Sequence, residues 1–222
     1  MNKNNLDIQI YLLNLDKDID NYNNFNKQVN NQFTYKKISG IEPNDGNQYL
    51  NKGQLGCLQS HRLIIEDAIK HNYKKILIFE DDVIFKKKWK CIQQHINRFQ
   101  CHNPHLLYLG CSQHKWSNIR LKHITSRKVI KDIQIKHDFY HPLFSFGSFA
   151  ILIDHCIFDI LLEKYQKEEK PVDHYLLEYQ TSNRKHCIVM YPNKVIADVT
   201  HSKTGKPRDM TTIMKQFRWN LS

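Results

Sequence analysis

Three consecutive carboxylates, Glu80-Asp81-Asp82, close the apolar part of KKILIFEDDV, residues 74–83. Like charges this close repel, and each gains from a positive partner. The four residues before them, Ile76 to Phe79, are β-branched, apolar or aromatic, which predicts a short buried strand. Side chains alternate along a strand, so Glu80 and Asp82 are expected on one side and Asp81 on the other. Two carboxylates on one face make a hard-oxygen site for Mn²⁺ or Mg²⁺, and such an ion could hold a diphosphate. The plainer alternative is a solvated strand end, screened by the lysines of Lys86-Lys87-Lys88-Trp89-Lys90.

Two further strings carry polar chemistry. GQLGCLQSHR, residues 53–62, opens a segment with Leu55, Leu58, Ile65, Ala68 and Ile69 at helical spacing. Gly53 and Gly56 leave open backbone near its start, where helix N–H groups favour anions. Ser60, His61 and Arg62 follow in succession, and the guanidinium could pair with a phosphate or a carboxylate. Taken alone, His61 reads as a satisfied core residue. The other string, Asn14-Leu15-Asp16, stops the apolar run IQIYLLNLD at 8–16. In layered α/β sheets ligands bind beyond the carboxyl ends of strands. Asn14–Asp16, Glu80–Asp82 and Leu109-Gly110 would all sit there.

These residues need a scaffold, and the chain alternates strand and helix patterns. Strands are predicted at 8–16, 33–39, 105–110, 146–154 and in CIVMYP, besides the one that ends at Glu80. Helices are predicted in the polar segment before residue 31, at 53–72, around 89–99, at 155–169 and in PVDHYLLEYQ. Residues 112–140 read as loop and strands, and the tail 198–222 is basic with little pattern. The alternation predicts an α/β layer with crossovers on both faces of a sheet.

The 222 residues suit one domain with a core that needs no disulfide staples. Seven glycines and six prolines leave no long flexible linker. The formal charge of +11 favours anionic partners such as phosphate-bearing small molecules, nucleic acid or a membrane surface. The six cysteines, at 57, 91, 101, 111, 156 and 187, form no C-x-x-C pair or compact zinc spacing, so buried free thiols are expected. No signal-peptide pattern and no run of about 18 apolar residues are present, which points to a cytoplasmic protein without a transmembrane segment.

YLLNLD, GQLGCLQSHR and ILIFEDDV, in this order and separation, resemble glycosyltransferase family 25, which includes lipooligosaccharide and collagen galactosyltransferases. PVDHYLL at 171–177 is similar to a later element of that family, and GSFAILID more loosely to the strand before it. The resemblance implies a GT-A type α/β fold: a Rossmann-like nucleotide-binding half, about 1–110, and an acceptor half with the basic tail, about 111–222, sharing a mixed central sheet.

It implies a metal-dependent, inverting transfer of galactose or glucose from a UDP-sugar to a hydroxyl on a glycan or protein. Glu80 and Asp82 would bracket Mn²⁺ or Mg²⁺, with Asp81 nearby and His201 as a third ligand. Asn14, Leu15 and Asp16 would line the nucleotide pocket, with Ser60, His61 and Arg62 beside the donor. Asp173 would be the general base, although its place in PVDHYLLEYQ also suits a helix cap. His201, in the basic tail, reads equally as a surface residue, and Lys203, Lys206 and Arg208 could clamp the diphosphate. From outside this class, a basic module could bind nucleic acid or a polyanion without turnover, with Trp89 as a stacking platform. A transferase that binds nucleotide but lacks an acceptor site is a third possibility.

Overall fold

A computed structural model of the chain describes residues 8–100, 103–113, 134–200 and 209–216. Its centre is an eight-stranded mixed sheet. The first strand, β1 (Gln9–Asn14), lies between parallel neighbours β2 (Lys36–Ser39) and β3 (Lys75–Glu80). Next to β3 runs β10 (Ala150–Asp154), antiparallel both to it and to β5 (Leu106–Tyr108). Then come β11 (Cys187–Met190), parallel to β5, and the short β8 (Phe139–Tyr140) and β7 (Gln134–Lys136). Strands β1, β3 and β5 therefore point the same way, and their carboxyl ends meet at one edge.

Alternation along the strands builds two cores. Tyr11, Ile76, Ile78, Tyr108, Ile151 and Val189 face one side and pack on helices α2 (Lys52–Lys70), α4 (Phe158–Gln166) and α5 (Val172–Ser182); α3 (Trp89–Gln100) lies between α2 and α4 in the chain. Leu12, Leu77, Phe79, Leu107, Leu152 and Ile188 face the other side and pack on α1 (Ile19–Val29), α3 and α6 (Met210–Gln216). Both sheet faces are thus covered, as predicted. Each large apolar side chain buried this way contributes about 1.5–3 kcal/mol.

Several expectations change. The strand ends at Glu80, and Asp81-Asp82 form a turn into β4 (Val83–Phe85), so strict alternation stops two residues before the triplet completes. β4 pairs with β12 (Val195–Ala197), a strand with no pattern of its own in the sequence. Two-residue strands β6 (Ser112–Gln113) and β9 (Ser145–Phe146) pair with each other. Trp89 is buried at 5 % exposure, its ring 4.3 Å from that of Phe33, so it offers no platform for a base. Among the described residues the cysteines are free thiols, but Cys91 and Cys156 are exposed rather than buried. No described helix is long and apolar enough to cross a membrane.

Candidate functional site

Beyond the carboxyl ends of β1 and β3 opens a cleft of about 470 Å³. Asn14 and Leu15, Gly40 to Pro43, the start of α2, the triplet Glu80–Asp82 and Asp198 line it. Three devices put these side chains there. The β4–β12 pairing sets Ala197 against Val83, and the Asp198 N–H donates to the Asp82 carbonyl at 2.7 Å. The loop after β2 is pinned by Ser60, whose hydroxyl accepts from Ile41 N at 2.7 Å and donates to the Gly56 carbonyl at 2.6 Å. The start of α2 is fixed by a capping box, Asn51 Oδ1 accepting from Gln54 N and Gln54 Oε1 from Asn51 N.

The GQLGCLQSHR string therefore serves three faces of one helix. Gly56 and Ser60 hold the loop: a Cβ at Gly56 would come within 2.4 Å of the Ile41 carbonyl. Cys57 and His61 turn to β3, where His61, 1 % exposed, bonds Glu80 Oε1 through Nε2 at 3.2 Å. Arg62 turns away from the cleft, reaching Glu168 at 3.1 Å and Glu66 at 3.6 Å, and so ties α2 to the loop that leads into α5. Asp16 also lies outside the cleft, exposed and held by Lys37 at 2.7 Å and Ser39 at 3.0 Å. Asn14 is inside: its amide donates to Asp81 Oδ2 at 2.6 Å, and Asn21 reaches Oδ1 at 3.4 Å.

The three carboxylates live in different environments. Burial would raise Glu80, but the hydrogen bond and charge of His61, with Ser148 donating to Oε1 at 2.6 Å, hold it below the usual range. Asp81 is raised by burial, against the amides of Asn14 and Asn21 and with the charge of Glu80. Asp82 is pushed far up by burial, then by the charges of Glu80, Asp81 and Asp198. Its Oδ1 is buried and has no hydrogen-bond partner among the described residues. Leaving such a group unpaired costs about 1–3 kcal/mol or more when charged.

This has a consequence for stability. In the native state Asp82 holds its proton to higher pH than in the unfolded chain, so stability falls as pH rises from the ordinary carboxylate range through the raised value. Asp82→Asn removes that loss. In chelator at neutral pH the variant melts about 2–4 °C above wild type, a gain of roughly 1 kcal/mol in a chain of this size. The difference shrinks towards pH 4. A variant that melts below wild type throughout would contradict the electrostatics.

Sequence patterns missed several residues in or beside the cleft. Lys17 and Lys52 stand on the rim, with Glu42 between them at 2.5 and 3.7 Å. Asp198 and Ser148 arrive from distant segments, and only their carboxylate and hydroxyl chemistry could have marked them. Asp173 lies in the first turn of α5, where Pro171 occupies the cap position, so its part as helix cap is not seen. Burial raises its pKa, the charge of Glu80 adds to this, and His174 opposes it. Burial, and after it the charges of Glu80, Asp173 and Asp82, push the Cys57 thiol up. His201 lies outside the described residues, as do Lys203, Lys206 and Arg208.

The sequence pattern of glycosyltransferase family 25 (LPS biosynthesis protein) matches residues 7–176, well over half the chain. The chain belongs to glycosyltransferase family 25. Among solved structures, a glycosyltransferase involved in the glycosylation of the major capsid of PBCV-1 is similar over 83 % of this chain and 82 % of that one, with a TM-score of 0.51 at 12 % identity. A197 from STIV covers 91 % of this chain and 98 % of its own at a TM-score of 0.41 and 10 % identity. No curated protein matches the sequence significantly. This family 25 glycosyltransferase has the mixed α/β sheet of GT-A type enzymes, and its cleft lies at the strand ends where such a fold binds ligands.

Proposed function

We propose that this glycosyltransferase moves a hexose, galactose or glucose, from a UDP-sugar to a hydroxyl acceptor on a glycan or protein, with inversion and with Mn²⁺ or Mg²⁺. The observation that carries the reading is the buried Asp82 Oδ1, which lines the cleft and has no hydrogen-bond partner among the described residues. A hard-oxygen set of Asp82, Asp198 and Glu80 fits a divalent cation, which would relieve the repulsion that raises Asp82. His201 is proposed as a further ligand. When bound, the ion supplies positive charge against the departing diphosphate.

The remaining parts fall to side chains. Lys17 and Lys52 on the rim can turn from Glu42 to the diphosphate, since both are exposed and cost little to move. Asn14 holds Asp81 in place, and Leu15 lines the nucleotide side. Ser60 and His61 act by fixing the loop and Glu80; Arg62 and Asp16 take part only if the donor draws them from their present partners. As the bond from C1 to the UDP oxygen breaks, the acceptor oxygen bonds C1 from the other face and its proton passes to the Asp173 carboxylate. That order of events inverts the anomeric centre. UDP binding that needs both the cation and Asp82 is the test of the donor half.

A further inference from the structure

The back of the cleft carries donors of another chemical type. Cys57 and His61, four apart on α2, project from one helix face towards the end of β3. One atom each from Cys57, His61 and Glu80 lies within 4.8 Å of the other two. His61 Nε2 and Glu80 Oε1 are 3.2 Å apart. Two ligands at zinc bond lengths and tetrahedral angles stand about 3.3 Å apart, so this pair is already at coordination spacing. The Cys57 sulfur lies within 4.8 Å of both.

We propose that Cys57, His61 and Glu80 form a zinc site, with its fourth position open to the cleft that Cys57 and Glu80 line. A thiolate and an imidazole select Zn²⁺ over Mn²⁺ and Mg²⁺, which prefer oxygen donors throughout. On binding, the thiol proton leaves to solvent as the Zn–S bond forms, and the Nε2 proton that His61 donates to Glu80 leaves as well, Nδ1 keeping its own, so that their hydrogen bond gives way to two bonds to the ion. Ser148, donating to Glu80 Oε1 at 2.6 Å, steadies the carboxylate. Zinc held here takes Glu80 from the donor-side carboxylates, so it inhibits transfer. That last clause rests on the proposed sugar transfer; the binding itself does not.

The test uses the whole chain without any sugar. Co²⁺ is titrated while thiolate-to-metal charge transfer is followed in the near ultraviolet, and Zn²⁺ affinity is measured by competition with a chromophoric chelator. One equivalent of Co²⁺ gives the band and Zn²⁺ displaces it. Cys57→Ser and Cys57→Ala both lose the band and bind Zn²⁺ at least about 100-fold more weakly. In wild type, Zn²⁺ but not Mn²⁺ protects Cys57 from alkylation, read by peptide mass mapping. Absence of the band in wild type, its survival in both variants, or unprotected Cys57 at saturating Zn²⁺ overturns the site.

Discussion

Asp173→Asn lowers the transfer rate by about 10²–10⁴-fold while UDP binding stays at its wild-type strength. The amide has the shape of the carboxylate but cannot take the acceptor proton. Asp173 does not line the donor cleft, so the ground-state contacts to UDP are spared. Pro171 rather than Asp173 occupies the cap position of α5, so the helix keeps its start. The base works deprotonated, and burial raises its pKa above the usual carboxylate value. Activity of the wild type therefore climbs with pH through that raised value, and the variant loses this limb of the profile. UDP release from the donor, to water or to a hydroxyl acceptor, measures both effects. Full activity in a folded Asp173→Asn protein would remove Asp173 from the mechanism.

Gly110→Ala destabilises the chain by about 3 kcal/mol or more, placing it among the most damaging single changes. A Cβ there would stand 1.7 Å from the Val195 carbonyl oxygen and 2.8 Å from its carbon. These are backbone atoms of β12, which cannot swing aside as a long side chain can. The approach is fixed by Lys194 N and Val195 N, which donate to the Leu109 carbonyl at 2.8 and 3.3 Å. Pushing β12 outward also strains its pairing with β4, and with it the placement of Asp198 beside Asp82. Urea unfolding shows the loss as a lower midpoint. An unfolding free energy within about 0.5 kcal/mol of wild type would mean that β12 is not held where the structure has it.

Gly110 also illustrates what the sequence could and could not convey. It was expected at the ligand-binding edge, at the end of a strand. It is at that strand's end, but its missing side chain makes room for β12 rather than for a ligand. The long elements were legible because their periods are strong: Ile76 to Phe79 alternate between two cores, and Leu55, Leu58, Ile65 and Ala68 mark one face of α2. The site was legible where charge is concentrated locally, at Glu80–Asp82. It was not legible where chemistry comes from pairing across the chain. β4 and β12 are three residues each, too short for a period, yet they bring Asp198 to Asp82. Arg62 and Asp16 carry suitable charges but were claimed by Glu168 and Lys37, partners that only the fold reveals.

The cation-dependent donor site is the centre of the account, and calorimetry of UDP binding tests it most directly. Wild type is titrated with UDP in Mn²⁺ and again in chelator, and Asp82→Ala is titrated in Mn²⁺. The account predicts binding in the first case and a loss of at least about tenfold in each of the other two, because the hard-oxygen set works only with both the ion and the Asp82 carboxylate present. Binding of equal strength in chelator, or an Asp82→Ala protein that binds as wild type does in Mn²⁺, would contradict it.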